Sequence, residues 1–263
     1  VLQNYAQKYI NNFKKHKIPF ICEQTALTKK IITQDETFNF VQNSGLKNIE
    51  LAFLNKVKKH VESNFDLRLI KNINASDVPF IQKYRAVKRN YWYSKELYEI
   101  DLSAAYWHAA KELGIIDDEI YLQGLNDKRI SKKTRLISLG NLAKQKHISE
   151  FDGEKFINCR ITPPPPTAKC FFACAYHVAE LMQRLTFIAN DDYLFFWVDA
   201  IFFKNEKTKD YLVSLMNEAN IKHKVIKLEK MIYKDDKIIL HHIQNNKEKQ
   251  RIFNFQKTNK LIL

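Results

Sequence analysis

Two apolar runs of this chain are each broken by one aspartate. Tyr98 to Leu102 reads as a strand carrying Asp101 near its end, followed by the small residues Ser103, Ala104 and Ala105 and then by Tyr106. That order predicts a strand, a tight turn and a helix. Tyr193 to Phe203 is strongly β-prone, and Asp199 is its one charged residue. An unpaired buried carboxylate is costly, so Asp199 is expected at a hairpin turn, beside a base or on a cation. Apolar residues at helical spacing predict helices over 4–16, 48–65 and 170–185, one after Tyr106, and one carrying Arg129 and Lys133. A strand is expected over Lys227 to Lys234, and Lys234-Asp235-Asp236-Lys237 reads as a hairpin turn. Pro163 to Pro166 form a stiff segment that is neither helix nor central strand.

Composition narrows the class. With 263 residues, 45% of them hydrophobic, the chain can bury a sizeable core. No apolar segment reaches the roughly 18–20 residues of a membrane span, and the polar stretch from Gln3 to Lys17 does not read as a secretory signal. Cys22, Cys159, Cys170 and Cys174 are too irregularly spaced for a disulfide framework, which predicts a reducing, cytoplasmic setting. His177 and the cysteines beside it lack zinc-like spacing and read as core or helix-surface residues.

Charge points to a polyanionic partner. The formal net charge is +14, with the basic residues spread along the chain rather than gathered in a tail. Bases and aromatics interleave from Lys83 to Tyr93, where Arg85, Lys88 and Arg89 offer phosphate contacts beside stacking surfaces. Arg129, Lys132, Lys133 and Arg135 could present several cations to one triphosphate.

The Asp101 segment resembles D-x-x-S-[LA]-Y, the first polymerase motif of family B DNA polymerases, with Asp101 and Tyr106 matching and Ala104 in place of Ser. The Asp199 run resembles the family's Y-G-D-T-D-S hairpin, with Asp199 at the second Asp, Trp197 replacing the first and Ala200 the Ser. Between them, Lys133 to Asn141 is similar to K-x-x-x-N-S-x-Y-G. Lys133 and Ser138 match, whereas Ile137, Gly140 and Asn141 depart from it. Lys227 to Lys234 resembles the L-E-x-x-x-x-Y-K strand that leads toward the primer and includes Lys230.

The resemblance implies an α+β polymerase palm, an antiparallel sheet backed by helices, together with a mixed N-terminal region. The expected division is an N-terminal region over 1–90, a palm with a fingers stub over 91–240, and a basic C-terminal segment over 241–263. Only 31 residues lie between Asp101 and Lys133, so there is no room for full fingers, and no exonuclease pattern is apparent in the first 90 residues. Implied with it are Asp101 and Asp199 as ligands of Mg²⁺ or Mn²⁺, and Lys133 and Arg129 on the triphosphate. Ser103, Ala104, Ala105 and Tyr106 would lie around the incoming nucleotide, with Tyr106 under its sugar. The implied activity is template-directed DNA synthesis from a primer-template and dNTPs in viral or mobile-element replication. A palm-derived DNA-binding replication or initiation protein without catalysis is the alternative.

Overall fold

The structure is a computed structural model that describes residues 2–25, 28–41, 45–70, 73, 77–78, 81–83, 91–93, 96–234, 237–244 and 247–254. Arg85, Lys88, Arg89, Asp235 and Asp236 lie outside the described residues. In chain order the first elements are α1 (Leu2–Lys15), β1 (Phe20–Gln24), β2 (Thr28–Ile32), β3 (Thr37–Val41), α2 (Asn48–Asn64), β4 (Ile81–Lys83), β5 (Tyr91–Tyr93), β6 (Leu97–Leu102), α3 (Ala105–Glu112), α4 (Asp118–Asn126) and α5 (Lys132–Gly140). They are followed by β7 (His147–Asp152), β8 (Lys155–Ile161), α6 (Ala168–Ala189), β9 (Tyr193–Trp197), β10 (Ala200–Lys204), α7 (Glu206–Glu218), β11 (His223–Leu228), β12 (Lys230–Lys234), β13 (Lys237–Gln244) and β14 (Lys247–Asn254). The fold is α+β, and its sheets are antiparallel.

Contacts divide the chain into two compact units, 1–70 with 114–171 and 71–113 with 172–263. These differ from the boundaries expected at 90 and 240, and strand pairing explains both differences. β7 hydrogen-bonds to β1 and so ties residues 147–152 to the start of the chain. β14 pairs with β13 along its whole length, so the basic C-terminal segment is part of a sheet.

In the first unit the strand order is β3-β2-β1-β7-β8. α1 presents Ala6, Ile10 and Phe13 at helical spacing, all buried. Ile10 and Phe13 join Phe20, Cys22 and Ile31 in one core, with Phe38, Phe40 and Phe151 packed against it. The cross-strand partners Phe20 and Phe151 stack with their centroids 4.7 Å apart.

A polar knot joins α2 to α5. Glu50 is buried and accepts hydrogen bonds from the Lys47 amide (2.9 Å), the Ser131 hydroxyl (2.7 Å) and the Thr134 hydroxyl. Ser131 also caps α5, because its Oγ accepts the Thr134 amide at 3.1 Å. These bonds, Thr134's first, hold the Glu50 carboxyl at about 2, below its ordinary 4.5. A carboxyl whose folded value is depressed adds stability that is complete above its unfolded value and disappears as pH falls through the folded one. Glu50 therefore contributes to acid unfolding between pH 4.5 and about 2. Thr134→Val should cost about 1–3 kcal/mol at neutral pH and flatten stability over that window, as read by urea denaturation at several pH values.

In the second unit one sheet runs β11-β6-β10-β9-β4 and another β14-β13-β12-β5. β6, β9, β10 and β11, with helices after β6 and β10, follow the β-α-β-β-α-β order of a split βαβ unit. One face of the first sheet supplies Leu97, Phe195, Ala200, Phe202 and Leu228 to a core shared with Met231, Tyr233, Ile238 and Leu240 of the second. On the opposite face Tyr98 lies beneath the Lys209 ammonium of α7, 5.3 Å from the ring centroid.

The sequence-based elements need two corrections. Lys227 to Lys234 is not one strand: it breaks at Glu229, because β11 pairs with β6 while β12 pairs with β13 and β5. Arg129 is not on a helix with Lys133; it precedes α5, in a turn where its amide and Nε both donate to Asp127 Oδ1 at 2.9 Å. Lys234 and Lys237 are partners in the antiparallel β12–β13 register, and the turn expected at Asp235 and Asp236 falls outside the described residues. Among the described residues no helix is long and apolar enough to cross a membrane.

Candidate active site

The antiparallel register brings the two aspartates together. Asp101 of β6 stands opposite Ala200 of β10, the residue after Asp199. The Asp199 carbonyl accepts the Leu102 amide at 2.9 Å, which fastens the β9–β10 turn to the end of β6. Both aspartates are partly exposed. Each was picked out by the charge it placed in an apolar run, and each run forms the strands it predicts, with Asp199 at a hairpin turn.

Tyr106 completes this group. It is buried in the first turn of α3, and its phenol is pushed well above the usual value by burial first, then by the Asp199 carboxylate and by Cys174. The link from β6 to α3 is Ser103 and Ala104: the Ser103 amide donates to the Lys222 carbonyl at 2.8 Å, and Ala104 accepts from the Trp107 and His108 amides at 2.9 and 3.0 Å. Ala105 is the first residue of α3 and is buried.

Two non-glycine residues in this group hold left-handed backbone. Ala104, between Asp101 and Tyr106, has φ +54°, and Val198, immediately before Asp199, has φ +58°. A β-branched residue is a genuine outlier there, and such strain clusters at functional sites. Val198→Gly should therefore stabilise the protein by roughly 0.5–1 kcal/mol, the left-handed penalty less the extra chain entropy of glycine. A lower melting temperature for this variant would show that Val198 is unstrained.

One row of side chains crosses a single face of the sheet: Lys224, Asp101, Ala200, Trp197. Trp197 stands where the resemblance has a carboxylate, and it packs edge-on against Phe253 with centroids 5.0 Å apart. Two residues back along β6 on that face, Glu99 is almost fully buried and forms a two-pronged ion pair with Arg251, whose Nη1 donates to Oε1 at 2.8 Å and whose Nη2 donates to Oε2. This pair, with the Asp101 charge adding to it, raises the guanidinium further above its ordinary value. In the sequence Arg251 reads only as part of the basic C-terminal segment with Lys247 and Lys249 and not as a site residue. The available signal was Glu99, a second charge within an apolar strand on the Asp101 face, which needs a partner.

The other expected site residues belong to other elements. Lys133, exposed on α5, and Arg129 belong to the first unit. Arg129 is committed to Asp127, with Nη2 to Oδ2 at 2.8 Å. Lys230 begins β12 opposite His241.

As a donor set, the Asp101 and Asp199 carboxylates would offer a metal ion two oxygen-donor groups. Mg²⁺ is held in this manner in phosphoryl-transfer sites, by one or two carboxylates with water and substrate phosphates completing its octahedron. Two carboxylates would leave most of such an octahedron to water and phosphate, and among the described residues no group of three or more His, Cys, Asp or Glu side chains is placed to hold a metal ion. No protein-family model matches the chain, and no curated protein matches its sequence.

Proposed function

We propose that the second unit is a reduced polymerase palm that joins a nucleotide to a primer 3′-hydroxyl under the direction of a DNA template, during viral or mobile-element replication in a cytoplasm. The observation that carries this reading is the register that sets Asp101 beside the Asp199 turn, two carboxylates at one end of one sheet. Bound metal would supply charge neutralisation and an acidified 3′-hydroxyl. The chain's own part is to hold that metal through Asp101 and Asp199 and to support the sugar on Tyr106, against the turn of Ser103, Ala104 and Ala105. Lys133 is the cation that motif order assigns to the triphosphate. Arg129 is a weaker candidate, since Asp127 neutralises it. Arg85, Lys88, Arg89 and Lys230 are proposed contacts of the primer-template, in keeping with the +14 charge.

A second reading has its own support. Trp197, partly buried, packs against the core where the resemblance has a metal ligand, and Arg251 places a cation near Asp101. Both favour a palm that binds DNA without chemistry, in a replication or initiation protein. Incubating the wild-type protein with a labelled primer-template, dNTPs and Mg²⁺ or Mn²⁺ decides between them. Metal-dependent extension supports the polymerase, and metal-independent, salt-sensitive binding without extension supports the second reading.

A further inference from the structure

A separate feature lies wholly within the first unit and does not depend on the aspartate pair. A cavity of about 510 Å³ opens between the β1–β2 turn, α2 and the segment that follows α5. Its walls carry Lys58, Lys144 and Lys146 together with Thr25, Thr28 and Asn55. Lys146 pairs with Glu23 at 3.0 Å, and Lys58 lies 3.6 Å from Glu62, the acidic residue of the lining. The Lys144 ammonium has no ion-pair or side-chain hydrogen-bond partner among the described residues, although the residue is partly buried. Burial first, then Lys58 and Lys146, push its pKa down.

A partly buried cation beside two further lysines favours an added anion, even with Glu23 and Glu62 each near one of the flanking pair. The remainder of the wall suits a phosphate. The Thr25 and Thr28 hydroxyls hydrogen-bond each other at 2.8 Å and Thr25 Oγ accepts the Thr28 amide at 2.9 Å, so both are engaged locally; the amide side chains of Asn55 and Asn141 line the wall as donors. Leu51, Leu54 and Pro165 add an apolar surface against which a sugar or base could rest.

We propose that this cavity binds a phosphate ester, with Lys144 as its central cation and Lys58 and Lys146 flanking it. The ester is that of a free nucleotide or of one residue of a single strand, and metal is not needed to hold it.

The test is titration of the full-length protein in EDTA with a fluorescein-labelled thymidine oligonucleotide, with dTTP and with inorganic phosphate, over a series of salt concentrations. Lys144→Gln is compared with Lys155→Gln, a like loss of charge on exposed β8, and melting curves check that each variant is folded. Lys144→Gln should weaken binding about tenfold and lower the salt slope by about one, with Lys155→Gln close to wild type. Loss confined to the oligonucleotide assigns the cavity to a strand, and loss of dTTP and phosphate binding assigns it to a nucleotide. If Lys144→Gln does not fold, Lys58→Gln replaces it with the same expectation. Equal effects of the cavity and β8 variants, or no binding of any probe by wild type, overturn the proposal. Since metal is absent and neither aspartate is altered, this result is independent of whether the chain extends a primer.

Discussion

Asp101→Ala and Asp199→Ala should each reduce primer extension by about 1000-fold or more, equivalent to ~4 kcal/mol of lost transition-state stabilisation. With two carboxylates as the proposed metal set, neither can replace the other: loss of one leaves a single oxygen donor group for ions that must neutralise both the attacking and the leaving oxygen. The variants should retain DNA binding and a cooperative melt, since both aspartates are partly exposed and neither belongs to the apolar core. Asp235→Ala, in the turn expected at Lys234-Asp235-Asp236-Lys237, should extend a primer as wild type does. Single-nucleotide incorporation at saturating dNTP separates loss of chemistry from loss of DNA affinity. Extension by Asp199→Ala at the wild-type rate would remove the hairpin from the active site.

Arg251→Leu should destabilise the protein by about 3–5 kcal/mol, because it strands the buried Glu99 carboxylate without its partner. The double variant Glu99→Leu with Arg251→Leu should recover most of that loss, since an apolar pair of similar volume avoids desolvating two charges. Phe202 and Phe253 already flank the guanidinium, each with its centroid 5.9 Å away, so the surroundings can accept an aliphatic replacement. Guanidinium denaturation of the two single variants and the double variant measures this coupling directly. A double variant as unstable as Arg251→Leu alone would mean that the arginine acts through packing and not through charge.

Much of this geometry could be read from residues, and what could not has a common cause. Helices at 4–16, 48–65 and 170–185 were expected from apolar spacing and form as Leu2–Lys15, Asn48–Asn64 and Ala168–Ala189. The turn at Asp199 is one of the three outcomes that the cost of a charge in an apolar run allowed. What sequence spacing did not reveal depends on pairing between distant segments. Nothing local to Lys227-Leu228-Glu229-Lys230 marks the change of sheet at Glu229. Nothing local to His147–Asp152 marks β1 as its neighbour. The Glu99–Arg251 pair joins residues far apart in the chain, and strain at Ala104 and Val198 has no sequence signal, since neither is a residue type that favours φ > 0. Arg129 was misplaced for a local reason: Asp127 binds its amide and guanidinium together, an Asx-type turn that stops the chain short of α5.

The alternation of the two units along the chain sets an order of events during synthesis. Every segment of the first unit has been made once Phe171 is complete, whereas β6 is made early and meets its partners β10 and β11 only when residues 200–228 follow. Such long-range pairing slows folding. During that interval both hydrogen-bonding edges of β6 are unpaired, so a nascent chain stalled before Ala200 would expose them together with Leu97, Ile100 and Leu102, a combination prone to aggregation.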